Sequence, residues 1–218
     1  MFRHLPSWPW LALAFGLALA VLCAVIGAKL FGKASFDMLT RDMAAMAEVH
    51  PLTGLLSHLG LMVWSAGAAV CFLGAVYLYR ANEPGVGFFF WGSALTTWLL
   101  FDDAFMIHET LANWYLGLGE KAVIFALGLA VSLWLYVYRK LLIALGPFFL
   151  IAALAMFALS VGVDAFPEEM FPLSYLGDWR LLLEDGAKWI GIVLWLTFQI
   201  QALLSFLERA PASRNVSA

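Results

Sequence analysis

Charge is scarce in this chain. Lys, Arg, Asp and Glu make up 12% of its 218 residues and apolar residues 64%, with a mean hydropathy of +0.90. A soluble globular domain, about half apolar and roughly a quarter charged, is excluded. Basic runs and stripes are missing as well, and with a net charge of -3 the chain lacks the electrostatic footprint of a nucleic-acid binder. Cysteine is limited to Cys23 and Cys71, both inside apolar spans and without Cys-x-x-Cys spacing. They read as small buried hydrophobes rather than a redox pair or a disulfide. No linker, low-complexity stretch or internal repeat divides the sequence.

What the chain has in quantity is long apolar runs. Against the ~20 residues that cross a hydrocarbon core, six spans are expected, at about 8–31, 53–79, 86–109, 119–138, 141–163 and 181–207. Arg3 ahead of the apolar stretch 8–28 has the outline of a secretory signal with a small-residue exit near Gly27 and Ala28; it is taken as the first span. The polar residues 80–84 make one turn, and Arg139-Lys140 punctuates two spans joined almost without a loop. The expected fold is all-α: a polytopic membrane helix bundle forming a single transmembrane domain over 1–208, with both termini on one side and a polar tail at 209–218.

Two connections are long enough for structure of their own. In the first, Phe36, Leu39, Met43, Met46 and Ala47 recur at helical spacing behind Ser35, an N-cap residue type. This predicts an amphipathic helix over 36–49, lying in the interface or packed on its neighbours. The second, 165–179, carries Phe166, Phe171, Tyr175 and Trp179, which suit the headgroup zone.

Six spans place thirteen of the fifteen acids on the side opposite the termini, all but Glu83 and Glu208. Cations divide evenly between the sides, so the positive-inside rule rests on Arg139-Lys140 and Arg209, which abut span ends. These put the termini in the cytoplasm of a plasma (inner) membrane, with the acids facing outward.

Ionisable residues at membrane depth are costly, so each is a functional hypothesis with a partner to be named. The third span ends in Asp102, Asp103, His108 and Glu109. On a continuous helix Asp102 and Glu109 share a face, with Asp102 roughly 10 Å deeper, and Asp103 and His108 flank it. Glu109 and His108 could simply meet water at a helix end; the adjacent aspartates lack that excuse. In the sixth span Glu184 and Lys188 have the spacing of an intrahelical ion pair, with Asp185 beside them. Ser160 and Asp164 are four apart at the end of the fifth span, where Asp164 could also just cap it. Glu120 suits a helix N-terminus and ranks low. His58 would lie near the cluster, although a lone histidine is more often a packing residue.

So many acids in a low dielectric need protons or a cation. Carboxylates with imidazole suit a divalent metal ion: calcium from hard oxygens, zinc or iron once His108 joins. The leading expectation is a metal-dependent membrane enzyme, a hydrolase of a lipid or lipid-like substrate. Asp102, Asp103, His108, Glu184 and Asp185 would ligate the metal. Glu109 or Asp164 would act as general base, and Lys188 would balance charge or hold an anionic headgroup, with His58, Ser160 and Glu120 in support. A proton- or cation-coupled transporter using the acids as a relay is the alternative. A non-catalytic subunit with a structural metal site is the third, in which small residues such as Gly67 and Gly128 allow packing within an oligomer or larger membrane complex.

Two partial resemblances stop short of a family. Glu184-Asp-Gly-Ala-Lys188 resembles the acid-x-x-x-Lys pattern on the last helix of microbial rhodopsins, but six spans are counted rather than seven. Ser160, Asp164 and His108 offer chemistry similar to that of the alkaline ceramidase and progestin-receptor-like group, without its paired histidines on the final helix.

Overall fold

A run of 27 residues without proline forms the long helix α4 (Leu55–Ala81), about 40 Å at 1.5 Å per residue. It closes on Asn82, whose left-handed backbone (φ 56°) turns its N–H onto the carbonyls of Leu78 and Tyr79. Gly85 then starts the return at φ 104°, a conformation open to glycine, with no room for a Cβ beside the Phe206 ring. The polar turn expected at 80–84 is therefore present. A computed structural model describes residues 7–41, 43–165 and 179–214. The chain forms two compact units, Met1–Thr53 and Gly54–Ala218.

In the first unit α1 (Ser7–Leu30) ends with Lys29 over the Phe36 ring, 5.9 Å from its centroid. Ser35 caps α2 (Phe36–Thr40) by accepting the Met38 N–H at 3.2 Å, as its position suggested. The single helix expected over 36–49 is instead two pieces. Arg41 is extended, α3 spans only Met43–Met46, and neither piece has a buried residue. Cys23, expected buried, is exposed.

The second unit continues from α4 with α5 (Val86–Phe105), a π-helical turn at Ile107–Leu111, α6 (Ala112–Leu116), α7 (Glu120–Leu145), α8 (Phe148–Ala165) and α9 (Trp179–Arg214). Helix α9 is its centre, packed along α4 and α8, while α5 packs on α4 and α7 leans on α5 and the π turn. Aromatic rings fill the core: Trp64 stacks on Phe157 at 5.7 Å, Phe88 on Trp134 at 5.1 Å, and Trp195 meets Trp64, Trp134 and Phe157. Among them lies a polar knot. Thr96 and Gln199, both buried, meet Trp195, with the Gln199 amide donating to the Gly67 carbonyl at 3.2 Å and accepting from Trp195 Nε1 at 2.7 Å. Only glycine leaves room there, because a Cβ on residue 67 would lie 2.5 Å from the Gln199 side chain.

Four helices, α4, α7, α8 and α9 over Trp179–Glu208, are long and apolar enough to cross a membrane, which points to a membrane protein; no strand occurs among the described residues. Helix α5 falls outside that set because its aspartate pair lowers its hydropathy, and the described apolar part of α1 is the short Ala18–Leu30. Helix α7 is apolar yet mostly uncovered, with Phe125, Leu129 and Leu133 exposed, as on a helix facing lipid.

Two boundaries differ from expectation. Arg139-Lys140 does not break the helix: α7 runs on to Leu145 and turns at Gly146, at φ 78°, followed by Pro147, which cannot continue the preceding hydrogen-bond ladder. Helix α9 continues to Arg214, so the start of the expected tail is helical. The aromatic connection, with Phe166, Phe171 and Tyr175, lies outside the described residues.

Candidate functional site

The third span does not continue as a helix to Glu109. Met106 adopts the left-handed conformation (φ 48°) and ends α5, and the chain restarts as a wide π turn. Turns of this kind recur at functional sites. Here the break folds His108 back over α5. Its N–H donates to Asp102 Oδ1 at 3.1 Å, and its Nδ1 lies 2.7 Å from Asp102 Oδ2. Asp102 is 5% exposed, and both its oxygens are used by one residue. The remaining ring nitrogen, Nε2, lies 3.5 Å from Glu109 Oε1. On the continuous helix expected from spacing, Asp102 and His108 would have pointed apart.

This geometry favours the charged imidazole. His108, in the turn beyond α5, has its pKa raised above the ordinary 6.5, first by the hydrogen bond to Asp102 and then by the charges of Asp102 and Glu109, against burial and Lys188. A hydrogen bond to the charged form favours that form.

The intrahelical Glu184–Lys188 pair is not formed. Lys188 crosses to α5 and donates to Asp103, whose side chain is 9% exposed. The reason is desolvation: a carboxylate nearly closed off from water gains more from an ammonium than Glu184, which is less enclosed.

These groups line one end of a cavity of about 550 Å³. Asp102, Asp103, His108 and Glu109 come from α5 and its turn, Glu120 from the start of α7, Ser160 and Asp164 from the end of α8, and Glu184, Asp185 and Lys188 from α9. The convergence expected from alternating helix direction is thus realised for these residues. His58 is the exception, being exposed and no part of the lining. The other end of the cavity is apolar, walled by Leu127, Val131 and Leu135 of α7, Leu154 and Phe157 of α8, and the rings of Trp64 and Trp195. From Glu120 to Leu135 the wall runs roughly 22 Å along α7 at the helical rise. Helices α7 and α8, although joined by two residues, scarcely touch. The cavity occupies the gap between them.

Among the described residues no three His, Cys, Asp or Glu side chains meet in a metal-holding group. Metal–ligand bonds of ~2.0–2.6 Å require donors to converge, whereas here Asp102 is taken by His108 and Asp103 by Lys188. The positive counterpart demanded by the acids is partly the protein's own.

Sequence reasoning missed the apolar half of the cavity and the Thr96–Gln199–Trp195 knot. Gln199 in mid-span was a signal for the knot, since a lone amide in an apolar helix seeks a partner across helices. The apolar wall carried none, because Leu135 and Leu154 look like any lipid-facing residue.

The chain belongs to the family described as domain of unknown function (DUF8692), which matches residues 12–202. No curated protein and no solved structure matches it.

Proposed function

We propose that this protein draws an amphipathic, lipid-like molecule from the bilayer into the gap between α7 and α8 and performs proton transfer at its head with the Asp102–His108 pair. One observation carries this reading: the cavity is charged at one end, apolar at the other, and bounded by two adjacent helices that leave each other uncovered. Ligand sites are mostly apolar concavities with a few convergent polar groups, and these walls match a molecule with a polar head and an apolar tail.

The chemistry follows from the histidine. With Nδ1 held by Asp102, Nε2 is the nitrogen that exchanges a proton at the cavity, and Asp102 fixes the tautomer and the ring plane. The Asp102 hydrogen bond raises the pKa of this imidazole above the ordinary 6.5, and a positioned histidine of this kind can act as a general acid or base. Glu109, at 3.5 Å from Nε2, shares that proton. Lys188 neutralises Asp103 rather than holding an anionic headgroup. A proton relay across the bilayer is less well supported, because the lining from Leu127 to Leu135 and at Leu154 carries no ionisable side chain and, apart from Ser132, is apolar.

The test uses Gly128, which lines the cavity and has open space where a Cβ would go. Gly128→Trp fills the apolar end without a backbone clash. Native mass spectrometry of detergent-extracted protein is expected to show a retained amphiphile on the wild type and its loss from the variant. Equal lipid content in the two proteins would contradict the reading.

A further inference from the structure

We infer that the molecule this cavity takes is a cationic amphiphile, a long-chain amine whose positive head lies among the carboxylates of α7, α8 and α9. The inference rests on the cavity reading above and specifies its ligand.

The argument begins with charge. Seven carboxylates line the cavity, against one ammonium and one imidazole. Both cationic groups are engaged, Lys188 with Asp103 and His108 with Asp102, and Glu109 is beside His108. Glu120, Asp164 and Asp185, all three exposed, form no ion pair with another described side chain. Net negative charge gathered at the rim of a cleft attracts a cation.

Geometry decides which cation. A bare metal ion needs short bonds to converging donors, and no such group exists among the described residues. An ammonium acts over longer distances, pairing at N···O separations up to ~4 Å, and its attraction falls only as the inverse of distance. Carboxylates spread around the rim of a chamber therefore suit an organic cation better than an inorganic one. The second half of the cavity adds an independent requirement, since walls of Leu127, Val131, Leu135, Leu154 and Phe157 favour a cation that carries an apolar chain. An anionic amphiphile would bring like charge to the rim, and a neutral one would leave the surplus unbalanced.

Full-length protein in detergent can be titrated calorimetrically with three probes of equal chain length: dodecylamine, dodecanol and dodecanoate. The amine is expected to bind about tenfold or more tighter than the alcohol, equivalent to about 1.4 kcal/mol, with the carboxylate weakest. Asp164→Asn combined with Asp185→Asn should weaken the amine about tenfold and leave the alcohol within about twofold. Glu120→Gln, at the exposed start of α7, should move the amine in the same direction and serves if the double variant does not fold. Alcohol or carboxylate binding as tightly as the amine would overturn the cationic ligand and leave the cavity reading standing, provided Gly128→Trp removes the binding. Amine binding that persists in Gly128→Trp would overturn it as surface adsorption. No binding of any probe would overturn both.

Discussion

Lys188 on α9 donates to Asp103 on α5, 85 positions earlier in the chain, so one ion pair ties the helix that centres the bundle to the helix that ends in the π turn. The Asp103 side chain is 9% exposed and that of Lys188 37%. Removing either partner alone leaves an unequal residue. Lys188→Met strands a nearly buried carboxylate, and after discount for the lysine's exposure the loss of unfolding free energy is expected to be roughly 1–3 kcal/mol. Asp103→Asn should cost less, and Lys188→Met/Asp103→Leu should recover most of the loss. A double-mutant cycle from thermal unfolding in detergent checks this, and additive single losses would contradict a coupled pair.

Gly67→Ala places a methyl 2.5 Å from the Gln199 side chain and forces that amide away from Thr96, Trp195 and the Gly67 carbonyl. A destabilisation of about 1–3 kcal/mol is expected. Gly67→Ala/Gln199→Ala should be less destabilised than the sum of the two single changes, as read from melting temperatures.

The left-handed Met106 (φ 48°) carries a side chain 46% exposed, so its loss removes little packing. Met106→Gly should relieve the backbone cost of that conformation, roughly 1 kcal/mol, and raise the melting temperature. Met106→Val, β-branched, should lower it.

Because its partner raises the His108 pKa above 6.5, protonation favours the fold. The resulting stability is complete below 6.5, where the unfolded chain is also protonated, and is lost as pH rises through the folded value above 6.5. Asp102→Asn should flatten that part of the stability-versus-pH curve. Unfolding midpoints measured from pH 5 to 9 on both proteins provide the comparison.

Much of this site was legible in the sequence, and the limits have physical causes. Asp102, Asp103, Asp164, Glu184 and Lys188 stood out because charge in an apolar span has to be compensated, and helix direction alone brought them to one end of the bundle. Their pairing was not legible. Spacing on an unbroken helix separates Asp102 from His108, and nothing in Phe105-Met106-Ile107 announces a left-handed residue, since that conformation is far commoner for Gly, Asn or Asp. The Lys188 partner was misassigned for a related reason: the four-residue spacing to Glu184 is local, whereas enclosure of Asp103 by neighbouring helices is a tertiary property. Ser35 and the turn at 80–84 were read correctly because caps and turns are local chemistry. Arg139-Lys140 misled, since lysine and arginine are good helix formers and the stop lay in Gly146-Pro147.

The most direct measurement is photo-crosslinking with a long-chain amine that carries a diazirine at the end of its tail. The account expects label on the inner walls, at Leu135 and Leu154 beside Trp195, and its loss in Gly128→Trp. Label confined to the outward residues Phe125, Leu129 and Leu133 of α7, unchanged in that variant, would contradict it.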